Sequence, residues 1–408
     1  MSSEPLVPPA PLHGTQHPPM ICWIEASQPR AARWFSERAA PPPARVEIAD
    51  DTLSADAAYR LACEGTALLW RGDFHNARQL LLALARRADQ LPRRKSRAGA
   101  HKAALDHTPG ATFHRYRLAQ SQRARVLSQL LIPLDGDYGI PLRRAPDHRL
   151  ACAQAWGAAN GQPGVVSLRE LLGVVSAFEW RKKGVPIPAL GPPPDNRIHP
   201  HYGVFSPVRG EYVDLVAQTP LPDGASALAF DIATGTGVLA AVLVRRGVRR
   251  VIATEHDPRA LACAADNFER LRLTERVELI AADLFPPAAE ARAALIVCNP
   301  PWLPARAGST IERAVYDEGS RMLRAYLAGL PAHLAPGGEG WLIMSDLAEH
   351  LGLRTRDELL SWIAAARLHV LERIDTHPRH PKASDPEDPL HAARAAEVTS
   401  LWRLGVQA

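Results

Sequence analysis

The sequence predicts a two-domain α/β protein whose second half is built on a mostly parallel sheet. At 408 residues the chain is longer than one ordinary hydrophobic core accommodates. Past a proline-rich stretch at 186–194, helical periodicity gives way to short β-branched runs alternating with helices. A hydrophobic content of 46% against 22% charged residues places the chain among globular proteins rather than disordered ones.

Residues 1–45 hold ten prolines, including the run Pro41–Pro43, and are expected to be a poorly ordered leader in which Met20–Ile24 can dock locally. Residues 46–190 read as a mainly helical domain. Ser54 can cap a helix running to Cys63, and Asp73 a second with the stripe Leu80, Leu81, Leu84. A third helix is expected over 113–131 with Leu118, Val126, Leu127, Leu130 and Leu131 inward. A fourth opens at Ser167 with Glu170 at capping-box spacing and ends near Gly184. Residues 186–194 read as a linker.

From 196 to 408, strands are expected at 228–231, 251–255, 277–282, 294–298, 340–345, 370–374 and 399–404. Helices are expected at 236–247, 258–271, 319–334 and 354–367. Strands separated by helices demand a mostly parallel sheet covered on both faces, and the last two strands, with no helical pattern between them, can pair antiparallel.

The net charge of +5 conceals an asymmetry. Residues 86–125 carry eleven Lys/Arg against only Asp89 and Asp106, which leaves the rest of the chain mildly acidic. Such a segment can dock RNA or the ribosome, or can be a solvated arginine-rich face. The five cysteines are scattered without a C-x-x-C pair, which argues against a disulfide framework or a zinc site. No run approaches the roughly 20 apolar residues a membrane helix needs, and no secretory signal opens the chain. The expectation is a cytoplasmic protein with no membrane partner and no metal.

The first strand of the second domain ends in Asp231-Ile-Ala233-Thr234-Gly235-Thr-Gly237 and runs into a helix. Small residues there admit a ligand to the backbone, and the helix N-terminus offers free N–H groups. Glu255, eighteen residues after Gly237, ends the next strand and can accept hydrogen bonds from both hydroxyls of a ribose. The loop also fits the dinucleotide fingerprint G-x-G-x-x-A, so alone it does not separate an NAD-dependent oxidoreductase from other nucleoside-cofactor proteins.

The fourth strand discriminates, because it ends in Asn299-Pro300-Pro301-Trp302. A planar amide or exocyclic amine has a delocalised lone pair and is a poor nucleophile. The Asn299 carboxamide oxygen and the Pro300 carbonyl can accept its two N–H bonds and aim the lone pair, while Trp302 offers a flat surface. The bland alternative is a proline-terminated strand with a core tryptophan.

This tetrapeptide resembles the [ND]-P-P-[YFW] motif of N-methyltransferases. Residues 200–346 are similar to the methyltransferase small family, which includes HemK-type protein-glutamine methyltransferases and rRNA guanine-N2 methyltransferases. The resemblance also rests on Tyr202–Arg209, Asp231, Gly235, Gly237, Glu255, Ala264-x-x-Asn267 and Ala-Asp283-Leu-Phe. It implies a Rossmann-like, seven-stranded class I methyltransferase domain that binds S-adenosyl-L-methionine. It implies Asp283 near the adenine and Asn299–Trp302 as the target-binding loop. Ala233 departs from the family's usual first glycine, and Val-Tyr316-Asp-Glu318 replaces the E-P segment of the glutamine methyltransferases. The expected reaction is N-methylation of a planar nitrogen. An RNA base is slightly favoured on the basic segment, with a protein amide in a translation-related partner as the alternative. A non-catalytic cofactor-binding module and an oxidoreductase are the remaining readings. The stretch 376–398, with His377, His380 and His391, is too long for a hairpin and reads as a lid or substrate-contact loop. Asp346 reads as a helix cap, and His199 and His201 as structural.

Overall fold

The structure, a computed structural model, describes residues 18–99, 108–287, 292–379 and 385–407, the side chains of 90–99 excepted. In the first domain six strands form one sheet: β1 (Met20–Glu25), β2 (Gln28–Phe35), β3 (Arg45–Ala49), β4 (Thr66–Trp70), β5 (Leu130–Leu134) and β6 (Gly164–Ser167). Their order is β1-β2-β6-β5-β4-β3. The sheet curls until its edge strands β1 and β3 approach each other around Ile21, Trp34, Leu69, Leu131 and Val165. Its other face is covered by α1 (Ala55–Cys63), α2 (Phe74–Gly99), α4 (Arg149–Trp156) and α5 (Leu168–Lys183). A further helix, α3 (Pro109–Leu127), packs along α2.

The helices expected in this domain are present, but they cover a sheet that periodicity alone does not reveal. Residues 20–35, expected within a poorly ordered leader, instead form an antiparallel hairpin whose turn residues Ala26 and Ser27 sit at φ 49° and 60°. Residues 1–17 lie outside the described residues. Ser54 caps α1 by accepting from the Ala57 N–H, and Asp73 accepts from the His75 N–H at the start of α2. The third helix starts and stops earlier than expected, with Thr108 as cap and Pro109 at its first position. Leu130 and Leu131 accordingly belong to β5, and Leu118, expected inward, is 59% exposed. Ser167 caps α5 as expected, but Glu170 does not close the box: it reaches outward to accept the Glu37 N–H at 2.6 Å.

The proline-rich stretch is not a free linker. Val185, Ile187, Leu190 and Ile198 are buried in the core of the second domain, and β7 (Val185–Pro186) pairs with β8 (Arg197–Ile198). Apolar side chains between the prolines tether the strap to that core.

The second domain has the expected seven strands: β9 (Leu228–Ile232), β10 (Arg250–Glu255), β11 (Val277–Ala281), β12 (Ala293–Cys298), β13 (Leu334–Ser345), β14 (Leu368–Thr376) and β15 (Thr399–Val406). Their order is β11-β10-β9-β12-β13-β15-β14, parallel except where β15 runs antiparallel to both neighbours. The helices are α6 (Gly210–Gln218), α7 (Val238–Arg245), α8 (Pro258–Arg270), α9 (Arg321–His333), α10 (Leu347–His350), α11 (Arg356–Ala365) and α12 (His391–Ala396). Central strands are buried on both faces: along β12, Leu295 and Val297 enter one core, Ile296 and Cys298 the other. Because β9 lies between β10 and β12, the connections diverge there and open a crevice at the strands' carboxyl ends.

The two domains meet at that crevice. Phe113 of α3 packs with Leu303, Leu347, Leu351 and Leu390, and the Arg117 guanidinium lies 3.9 Å from the centre of the Tyr316 ring. On another side Arg259 of α8 donates to both carboxylate oxygens of Glu37, at 2.7 and 2.9 Å.

Candidate active site

The crevice holds a cavity of about 320 Å³, lined by residues of both domains. Its floor is main chain. The turn after β9 is closed by Gly237 N–H donating to the Thr234 carbonyl and Thr234 N–H to the Thr254 carbonyl. Ala233 takes φ 55° there, a left-handed conformation that explains why glycine suits this position. Gly235 (φ 58°) faces open space, whereas a Cβ on Gly237 would strike the Phe268 ring at 2.6 Å. Gly235 therefore serves access to the cavity, and Gly237 serves packing against α8. Asn267 braces the same turn: its Nδ2 donates to the Thr236 carbonyl, and its Oδ1 accepts from the His199 N–H.

Three acidic residues border the floor: Asp231, Glu255 and Asp257, the last of which caps α8 by accepting from the Arg259 N–H. Asp231 is buried and accepts from Thr234 Oγ1 at 2.5 Å and from the Ala240 N–H at 2.9 Å. Burial pushes its carboxyl up to about 7, against the lowering effect of those two bonds. Glu255 accepts from the N–H groups of Gly235, His256 and Asp257. A carboxylate has about four lone-pair sites, so capacity for a ligand hydroxyl remains. Asp283 is exposed beyond β11 and does not line the cavity.

The opposite wall is side chain. Asn299, Pro300, Pro301 and Trp302 leave the end of β12 and line the cavity beside Gly235 and Glu255. The Trp302 indole N–H donates to Asn299 Oδ1 at 2.9 Å, and the Arg209 guanidinium lies 4.8 Å from the centre of the indole ring. Arg209 is held by Glu211 (2.6 Å) and Glu397 (3.1 Å). The rest of the wall includes Phe113 and Tyr116 of α3, Tyr316, Leu347, Leu390 and Arg394. Every carboxylate lining the cavity is on the floor side, while Arg209, Arg313 and Arg394 line the wall.

Composition did not reveal Phe113 and Tyr116 as cavity residues; their i, i+3 spacing on one helix face was the available signal. Leu390 and Arg394 belong to the stretch expected to be a lid, and its described part does border the cavity. His377 is exposed, His391 lies on α12, and His380 falls outside the described residues. The Asp346 side chain does not cap α10. It accepts from the Val398 N–H at 2.7 Å and so ties β13 to the end of the lid stretch. His199 and His201 are structural contacts, to the Arg181 carbonyl and to Asp266. The basic segment is partly spent on the fold: Arg87 pairs with Asp56, Arg123 with Asp89, and Arg117 with Glu312. Arg93, Arg94, Lys95 and Arg97 have side chains outside the described residues.

Residues 195–355 match the Methyltransferase small domain family. A release factor glutamine methyltransferase from Cereibacter sphaeroides is 33% identical over 165 residues, covering 38% of this chain and 58% of its own length. A ribosomal protein L11 methyltransferase from Pelotomaculum thermopropionicum is 31% identical, covering 34% of this chain and 43% of its own. The chain thus spans about half the length of these relatives. A solved ribosomal protein L11 methylase from Lactobacillus delbrueckii subsp. bulgaricus aligns at 13% identity and a TM-score of 0.33, covering 49% of this chain and 80% of that one. The family match covers less than half of the chain, but it takes in β9 to β13, the glycine turn and the Asn299–Trp302 loop, so over those residues the second domain is similar to a methyltransferase small domain.

Proposed function

We propose that the chain is an S-adenosylmethionine-dependent methyltransferase acting on a planar amide or amino nitrogen. The observation that carries this is the convergence of Asn299–Trp302 with Gly235, Asp231 and Glu255 on one cavity. The residues suit the cofactor: Gly235 leaves room for a ligand at the backbone, Glu255 keeps acceptor capacity for a ribose hydroxyl, and Asp231 can face a cation. When bound, the cofactor supplies an electrophilic methyl group on a positively charged sulfur. The Asn299 oxygen and the Pro300 carbonyl accept the target's N–H bonds and turn its lone pair toward that methyl. The aromatic wall from α3 and Tyr316 limits the access of water.

Among substrates, a protein amide is favoured over an RNA base. The release factor glutamine methyltransferase relative supports a protein amide and the ribosomal protein L11 methyltransferase relative supports a protein, as does the pairing of Arg87, Arg117 and Arg123 with carboxylates inside the chain. Calorimetry tests the cofactor reading: S-adenosylmethionine and S-adenosylhomocysteine should bind and NAD should not. A cation beside Asp231 favours its ionised form, so S-adenosylmethionine binding near pH 7 should release protons, read from buffers of different ionisation enthalpy. Tight NAD binding would overturn the assignment. Labelled cofactor added to extract of a deletion strain, followed by mass spectrometry, decides between protein and RNA. Label in RNA whose capture weakens steeply with salt would restore the basic segment as the docking surface.

A further inference from the structure

Resting on that reading, we propose that Trp302 is a positioning residue: its indole N–H, braced by Arg209, fixes the Asn299 carboxamide in the orientation the reaction needs. An indole N–H can only donate, so the Asn299 atom it meets at 2.9 Å is the carboxamide oxygen. This settles which end of the amide faces the ring. An sp² oxygen has two lone pairs, so Oδ1 retains one for a target N–H while the indole holds the other. Phenylalanine or tyrosine at this place has no donor at the indole position and cannot make the same bond.

The brace extends outward. Arg209 lies over the indole ring, which removes that face from any stacking role. Its guanidinium is anchored on two buried carboxylates from opposite ends of the domain, Glu211 at the start of α6 and Glu397 at the end of the lid stretch. Glu397 also accepts from Ser345 Oγ at 2.7 Å, and that oxygen accepts the N–H of Leu347, a cavity residue. One connected set of contacts therefore runs from the lid stretch through Arg209 and Trp302 to Asn299.

Two measurements test this on the full-length protein. In ¹⁵N-labelled protein the indole N–H signal that Trp302→Phe removes should shift upfield in Asn299→Ala, and no substrate is needed to see it. An unmoved signal would overturn the hydrogen bond. In the labelling assay with deletion-strain extract, Trp302→Phe should lower the rate about tenfold, the scale of one lost positioning hydrogen bond. Its S-adenosylhomocysteine affinity should match wild type, which verifies the fold. In an Asn299→Ala background the same substitution should cost little more, because its target is gone. Arg209→Lys keeps the charge between Glu211 and Glu397 but loses the planar face, and should lower the rate severalfold. Full additivity of Trp302→Phe with Asn299→Ala, or a wild-type rate for Trp302→Phe, would overturn the proposal. Failure of the wild-type enzyme to label any extract component would instead count against the methyltransferase reading and leave the resonance test standing.

Discussion

The two sides of the cavity are made of different material. The floor is main chain and three acidic residues, set by one turn between adjacent parallel strands and braced by Asn267. The wall is side chain, contributed by β12, by α3 of the other domain, by the segment before α6 and by the stretch before β15. A site that must accept one invariant cofactor can be written in backbone geometry. A site that must choose a target is written in residues that can be exchanged without touching the strands.

This contrast breaks first, and hardest, at Phe113. It is 1% exposed and packs against four leucines of the other domain. Phe113→Ala should cost about 3–5 kcal/mol in denaturant unfolding and reduce transfer, with S-adenosylhomocysteine affinity little changed. A surface-like loss under about 0.5 kcal/mol would mean that the first domain is merely tethered. Asn299→Ala comes next and should lower turnover on the order of 10²–10³, by analogy with losing one preorganised hydrogen-bonding group in an oxyanion hole. Cofactor affinity should survive; if the labelling rate stays at wild type, the Asn299–Trp302 loop is not the reaction centre.

On the floor, Glu255→Ala should weaken cofactor binding by about 1–3 kcal/mol, the scale of hydrogen bonds to a charged group. Calorimetry reads this directly, and unchanged affinity would remove Glu255 from the cofactor site. The smallest effect concerns Ala233. Its φ of 55° stores strain that glycine relieves, while glycine adds freedom to the unfolded chain. Ala233→Gly should therefore stabilise by less than about 1 kcal/mol, seen as a slightly higher unfolding midpoint. A clear loss of stability would mean that the alanine methyl packs usefully.

How much of this was legible depended on the region. In the second domain each central strand is buried on both faces, so it stands out as a short β-branched run between helices, and all seven strands fall where expected. The first sheet escaped notice for identifiable reasons. The β1–β2 turn uses Ala26 and Ser27 where Asn or Gly would announce a hairpin. β5 contains Pro133, a residue that argues against an inner strand, yet β4 pairs only with Leu130 and Leu131, so the missing N–H leaves no gap on that side. Prolines at 186–194 suggest looseness, while Val185, Ile187 and Leu190 beside them are buried. In the site, Asn299–Trp302, Gly235 and Glu255 were readable because their chemistry is local in sequence. Phe113, Tyr116, Arg209 and Arg394 were not identified as site residues, because only the fold brings them to the cavity.

The socket that receives Phe113 has a consequence for portability. A fragment beginning near residue 195 would keep the matched family region and the whole seven-stranded sheet, but it would leave Leu303, Leu347, Leu351 and Leu390 facing water. Clustered apolar side chains exposed in this way promote self-association. The second domain of this chain is therefore not a cassette that gene fusion or limited proteolysis should release intact. Loss of the first domain, by truncation or by a substitution that unfolds its curled sheet, would be inherited as insolubility of the second before it was noticed as lost activity.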